Sequence, residues 1–321
     1  MSDPIKFPQP PFEFPNPHRV CKFPPQKKPH NPRDCLRHGH GSETYASGFK
    51  FTGSYLNDLR NGAGQLTSSN QDKYIGLFKD NKRHGFGVFT FSNGNSYEGN
   101  YDYGVKEGKG VFCWMDRGRY EGAWKGDLRS GIGTMVTGNG NKYAGWYHAD
   151  KPNGKGRFEW RNGDFYIGEF KGGLKHGFGK MVFANCDWYR GEFYNNYKEG
   201  RGEMKFSNGN RYIGDFFKDC LHGFGEYHWE NGDKYVGTFK EDSLNGHGIH
   251  FFSDGNRYIG EMKDSKKYGF GKFYWANGSK YVGEFVDGFM CGHGELLMNG
   301  GGRVEGEFWA DKFKQNEEFV E

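Results

Sequence analysis

From residue 51 to residue 303 the chain repeats itself every 23 residues, eleven times, without one insertion or deletion. A fixed internal period constrains a fold more tightly than length does, because each copy must be one small unit that buries its apolar face against its neighbours. Counted from its opening aromatic, as in YIGLFKDNKRHGFGVFTFSNGNS from Tyr74 to Ser96, each copy carries an aromatic at offset 0, Gly at 2 and an aromatic at 4. Gly follows at 11 and 13, large apolar residues at 15 and 17, and Asn-Gly at 19 and 20. Full copies open at Phe51, Tyr74, Tyr97, Tyr120, Tyr143, Tyr166, Tyr189, Tyr212, Tyr235, Tyr258 and Tyr281. A half copy containing Gly39 and Gly41 precedes them, and another opens at Val304. Offset 2 is Gly in all twelve copies, offsets 11 and 13 are Gly in all eleven, and offset 4 is aromatic everywhere except Met262.

Offsets 0, 2, 4 and offsets 11, 13, 15, 17 are runs of period 2, so each copy predicts two short strands with aromatics and Gly on one shared face. The six residues at offsets 5 to 10 read as a loop, and Asn-Gly supplies the positive φ angles of a tight return turn. The expected fold is all-β: an elongated, single-layer antiparallel meander of about eleven hairpins, a twisted trough or rod on the order of 105 Å long at ~4.8 Å per strand. A single layer lacks a partner for its apolar face. Gly beside an aromatic offers a remedy, since the ring can fold flat over bare backbone. Tyr and Trp suit such duty because their polar tips can stay wet.

Units such as YIGLFKDNKRHGFGVFTFSNG (74 to 94) and YVGEFVDGFMCGHG (281 to 294) resemble the MORN repeat, the membrane occupation and recognition nexus motif, whose pattern is YxGxW or YxGxF followed by GxG. The resemblance covers residues 39 to 308. It implies an elongated, twisted single-layer array that scaffolds or tethers; no Ser/His/Asp or Cys/His group stands out from the repeat background, so an enzyme is not expected. Family members serve in ciliary axonemes, radial spoke heads in particular, in other cytoskeletal structures and in membrane junctions, and some hold a partner's helix in the groove of the sheet. An all-repeat chain with a short tail is most similar to the radial spoke and cytoskeletal members. The expected setting is therefore the cytoplasm, cytoskeleton and ciliary axoneme. Expected partners are other axonemal or cytoskeletal proteins, another MORN protein or a second copy of the chain, with anionic membrane lipid as the alternative. Offset 20 departs from Gly at Gln71, Arg117 and Cys186, which loosens three turns without moving the register.

Three segments follow: an extended Pro/Phe-rich arm over 1–37, the array over 38–308 and an acidic tail over 309–321. Ten of the eleven prolines lie in the arm, where Pro removes amide donors and fixes φ. Phe7, Phe12, Phe14 and Phe23 make it a docking arm. The arm carries a charge of +4, and the remaining residues balance at 37 basic and 37 acidic. A neutral array argues against nucleic acid. The opening residues lack the layout of a signal peptide, and no apolar run approaches the ~20 residues that span a bilayer. Six cysteines without a C-x-x-C pair suggest neither zinc nor a disulfide framework.

No helix follows any GxG, so a phosphate loop is excluded. His247 and His250, three apart on a strand, point to opposite faces and cannot share an ion. Neither metal nor cofactor is expected. The expected partner-binding trough is Tyr97, Tyr101, Tyr120, Trp124, Tyr143, Tyr147, Tyr166, Phe170, Tyr189, Phe193, Tyr212 and Phe216, with Trp160, Trp229 and Trp275. On the other face, offset 12 is Phe in Phe86, Phe178, Phe224 and Phe270, alternating with Lys109, Arg201, His247 and His293; this is either the trace of recent duplication of unit pairs or an outer stripe for a second subunit or filament. Offsets 5 to 10 hold 16 basic and 12 acidic residues, too thin a surplus for strong membrane attachment. Lys79, Lys82, Arg83 and Lys263, Lys266, Lys267 are the local clusters that could meet an anion.

Overall fold

The structure, a computed structural model, describes residues 36–315 and 318–320. The arm's Phe7, Phe12, Phe14 and Phe23 lie outside the described residues. The described residues form 26 strands and no helix. Contacts divide the chain into two compact units, residues 1–151 and 152–321. In the first, ten strands run from Gly39–Thr44 to Lys142–His148, each antiparallel to the next. The second continues the same way from Lys151–Glu159 to Glu318–Val320. Each unit is thus an open antiparallel meander. The expected tail adds two more short strands, Lys312–Gln315 and Glu318–Val320.

The repeat beginning at Tyr74 shows how sequence becomes geometry. Its short strand, Lys73–Lys79, pairs with a nine-residue strand, Lys82–Thr90. The expected six-residue loop is instead a two-residue turn: Asp80 and Asn81 have φ of 48° and 69°, and Lys79 pairs with Lys82. Two consecutive positive φ angles mark a type I′ turn, which matches the twist of the flanking strands. Asn57-Asp58, Asn195-Asn196 and Lys218-Asp219 repeat it. The Asn-Gly return is the wider connection. There the amide of Gly94 donates to the carbonyl of Phe91 and the amide of Phe91 to that of Asn95, with only Gly94 left-handed. That is a type I turn closed by a glycine bulge. Gln71, Arg117 and Cys186 take the same left-handed conformation, each with φ of 72°, at the steric cost that Gly avoids elsewhere.

The pairing also contains a bulge. Gly76 faces Gly87, but Phe78 faces Arg83, so the long strand carries two extra residues across that interval. An even number preserves the alternation, and the rings stay on one face. Gly85, at offset 11, sits in the bulge with φ of 65°. Its reason for being Gly is therefore backbone conformation.

Offsets 2 and 13 are Gly for a different reason. They pair with each other and with the next repeat, so one Gly per strand runs across the first unit from Gly41 through Gly53, Gly64, Gly76, Gly87 and Gly99 to Gly145. The second unit carries the same row from Gly156 to Gly306. The Tyr74 ring lies on this bare backbone, and a Cβ at Gly76 would stand 2.5 Å from its hydroxyl oxygen. The expected wet phenolic tip is not found, since Tyr74 is 1% exposed and its hydroxyl donates to the Leu77 carbonyl at 2.9 Å. Equivalent bonds run from Tyr97 to Asn100, Tyr166 to Glu169 and Tyr258 to Glu261. A ring that is buried must satisfy its hydroxyl, and the strand opposite the bulge supplies the acceptor.

Side chains tie both margins of each meander. At the two-residue turns, the carboxylate of Asp127 accepts from the amide of Lys106, and those of Asp219 and Asp311 accept from the amides of Lys198 and Met290. At the returns, Asp72, Asp187 and Asp233 accept from the amides of Ser92, Ser207 and Ser253. Hydrogen bonding to the charged form holds all three of these return-turn carboxyls below their usual range despite some burial.

Candidate partner-binding face

Within each unit the aromatics of offsets 0 and 4 meet edge to face in a zigzag, broken in the second where Met262 takes the offset-4 place. In the first unit Phe78 touches Tyr74 at 5.1 Å, Tyr74 touches Tyr101 at 5.4 Å, and Tyr97 bridges Tyr101 and Trp124 at 5.2 and 5.3 Å. In the second, Tyr189 lies between Phe193 and Phe216 at 5.1 and 4.8 Å. Such pairs contribute about 0.5–1.5 kcal/mol each beyond burial. Of the expected trough residues, Tyr97, Tyr101, Tyr120, Trp124, Tyr143, Tyr147, Tyr166, Phe170, Tyr189, Phe193, Tyr212 and Phe216 are all buried. They are the core of a one-layer protein, and they set its face without offering much of themselves to it. Burial pushes the Tyr120, Tyr143 and Tyr281 hydroxyls up to about 12.

Trp160, Trp229 and Trp275 are half-exposed and lean on Phe158, Tyr227 and Phe273 at 4.5, 4.6 and 4.9 Å. This outer bank of rings belongs to offsets 15 and 17. His250 takes the offset-15 place in its repeat, stacked on Phe252 at 4.1 Å and Trp229 at 5.1 Å, while His247 pairs with Glu261 on the opposite face. Burial among these rings lowers the His250 pKa, with Asp233 opposing and Lys267 reinforcing the shift. The unfolded chain binds a proton at His250 near the ordinary imidazole value, and the folded one resists it. Stability is therefore full above that value and is lost as pH falls through it. His250→Phe, the residue other repeats use there, is expected to raise the urea midpoint at about pH 5 more than at about pH 7.5. An equal effect at both pH values would refute the assignment.

The basic clusters are not loop residues as expected. Lys79 and Lys82 flank a tight turn, as do Lys263 and Lys266, with Lys79 5.3 Å and Lys82 5.8 Å from the Tyr103 ring centre. Arg83 and Lys267 lie one residue further into the long strand, on the ring face. Arg83 stands 5.0 Å from Tyr101 and 5.1 Å from Phe89, and Lys267 4.6 Å from Phe273. Burial holds Lys106, Lys175 and Lys267 below the usual lysine pKa. All of these in-strand cations share offset 9, a regularity hidden while offsets 5 to 10 are taken for a loop.

On the opposite face Phe178, Phe224 and Phe270 are 52%, 54% and 60% exposed, and Phe86 is half-buried. Phe86 joins Lys109, Val111, Ala123, Ile132 and Trp146 around a groove of about 660 Å³ in the first unit. Ile132 and Trp146, cross-strand partners, were legible as apolar residues at offsets 12 and 3, which are otherwise mostly polar or Phe.

The MORN repeat family model matches twelve stretches: 36–49, nine consecutive copies from 51–73 to 235–257 of which one is matched only over 166–185, then 258–280 and 281–303. The chain belongs to the MORN repeat family. MORN arrays are repeat scaffolds that bind proteins or membranes. No curated protein matches the chain. Among solved structures, a point mutant of the TCP10 domain of Danio rerio CPAP is 15% identical with a TM-score of 0.34, over 62% of this chain and 99% of that one. The SAS-4 TCP domain of Drosophila melanogaster, in complex with a proline-rich motif of Ana2, is 15% identical at 0.25, over 62% and 90%. The wild-type Danio rerio CPAP domain with a STIL peptide is 10% identical at 0.22, over 84% and 100%. At these scores the chains do not superpose as wholes.

Proposed function

We propose that the chain is a non-catalytic scaffold of the ciliary axoneme, most specifically a component of the radial spoke head. Its repeats would bind protein partners along the ring face, with the Pro/Phe arm as a second attachment and the Phe178, Phe224 and Phe270 stripe meeting another MORN array or a second copy. The observation that carries the reading is that the described residues are one hairpin repeated: the rings close the core, and what remains exposed recurs at every second strand, about 10 Å apart. A surface with that regularity suits an extended partner better than a small substrate. The axonemal setting rests on the family resemblance of the repeats.

The second reading is a peripheral membrane tether, favoured by Lys79, Lys82, Lys263 and Lys266 beside their turns. Flotation of the purified chain with vesicles, with and without phosphoinositides, separates the two. The scaffold reading expects the protein to stay at the bottom of the gradient in both cases. Strong flotation that disappears at high salt would overturn it.

A further inference from the structure

The scaffold reading leaves one row of side chains without a task. Offset 9 is Arg37, Arg60, Arg83, Lys106 and Arg129 in five successive copies of the first unit. In the second unit Leu221, Leu244 and Met290 break the row. Each cation of the first unit lies against rings: Arg60 is 5.6 Å from both Phe51 and Phe78, and Lys106 is 4.5 Å from Trp124.

The two ends of the row, Arg37 and Arg129, are ion-paired, and Arg60 and Arg83 between them are not. Arg37 Nε donates to Asp58 at 3.0 Å and Arg129 Nε donates to Asp150 at 2.9 Å, while Asp127 accepts from the backbone amide of Lys106. Arg60 donates only to the carbonyl and side-chain oxygens of Asn81, at 3.0 and 3.4 Å, and Arg83 to the carbonyl of Gly104 at 2.8 Å. Among the described residues neither has a carboxylate within ion-pair distance. The cause is in the sequence. Offset 7 of the following repeat supplies the acid at Asp58, Asp127 and Asp150, but is Asn81 and Gly104 opposite Arg60 and Arg83. In the second unit Lys175 and Lys267 likewise face Asn196 and Gly288, but Lys198, Leu221 and Leu244 separate them. Two adjacent offset-9 cations that both lack an acid at the facing offset-7 position occur only in the first unit.

Beside Arg83 opens a groove of about 660 Å³ lined by Leu66, Phe78, Phe89, Lys82 and Asp72, and by Asn81, to which Arg60 donates. Asp72 already accepts the amide of Ser92 at 2.7 Å. We propose that this groove is a binding site for an acidic peptide, whose apolar side chains enter it and whose carboxylates pair with Arg60 and Arg83. The two cations lie two strands apart, about 10 Å, which is three residues of extended chain or seven of helix. A planar layer of headgroups would leave the apolar walls unfilled and would reach half-buried guanidinium groups poorly. The proposal deepens the scaffold reading and rests on it for the ring face being a partner surface.

The test is fluorescence polarisation with the full chain and four synthetic probes. Two carry Glu and Leu at three-residue spacing or at seven-residue spacing in a helix-forming background, and two replace each Glu by Lys. At least one Glu probe is expected to bind. Arg60→Gln with Arg83→Gln should weaken it about tenfold or more, while Lys198→Gln should leave it unchanged. Urea unfolding of the double variant confirms that it is folded, and if it is not, Arg83→Lys replaces it and is expected to weaken binding by losing bidentate geometry. Binding of neither Glu probe, equal binding of Glu and Lys probes, an unchanged double variant, or tighter binding to phosphatidylserine vesicles would each overturn the proposal. A failure here with the protein still found on axonemes would leave the scaffold reading standing. Peptide binding by a protein found elsewhere would refute the axonemal setting alone.

Discussion

Gly168→Val is expected to cost about 3 kcal/mol or more, a large share of a domain's stability. A Cβ at Gly168 would stand 2.4 Å from the Tyr166 hydroxyl and 2.6 Å from the Gly179 Cα. Backbone lies on one side and a ring on the other, so neither can yield without breaking a neighbour. Moving the ring would break the 2.9 Å bond to Glu169 and the edge contacts to Phe170 and Phe193 at 5.1 and 5.0 Å. The row of Gly transmits the displacement, since Gly179 supports the same ring and pairs with Gly191. Gly214→Val should behave alike, with Tyr212 at 2.4 Å. Gly300→Val is the matched control, because nothing lies within 4 Å of its added Cβ. Urea midpoints for the three variants decide the point: equal midpoints would refute the packing argument.

Tyr212 separates the two duties of the ring. Tyr212→Ala removes edge contacts to Phe216 at 5.2 Å and Phe239 at 5.0 Å and leaves a cavity, an expected loss of about 3–5 kcal/mol. Tyr212→Phe keeps the packing but deprives the carbonyls of Asp215 and His222, at 2.9 and 3.3 Å, of a donor, for about 1–2 kcal/mol. The order expected in urea is wild type, then Phe, then Ala. A Phe variant as stable as wild type would show that the hydroxyl is idle. Phe51 shows that one repeat folds without it, with its ring over Gly53 and Gly64.

Much of this was legible in the residues. Period, strand pairing, the ring face and the close approach behind Gly76 and Gly87 all follow from offsets 0, 2, 4 and 13. The turns were not. At Asp80-Asn81 and Lys218-Asp219 the two left-handed residues vary in type from copy to copy, so the tight turn has no motif, whereas Asn-Gly has one and attracts the wrong assignment. The two-residue bulge interrupts the alternation between offsets 8 and 13, which made strand residues such as Arg83 and Lys106 read as loop. Gly85 and Gly87 look alike in sequence, yet one is required by φ and the other by the Tyr74 ring. The site lost most by this: with offset 9 taken as loop, the row of cations over the rings could not be seen.

The proposed role of the repeats as a protein scaffold in the axoneme is open to test in cells. The most direct measurement is detergent extraction of ciliated cells expressing the tagged full chain, followed by imaging of the remaining axonemes. The scaffold account expects the tag to stay on the demembranated axoneme, spaced along it. Release of the tag into the detergent fraction together with membrane lipid would contradict it.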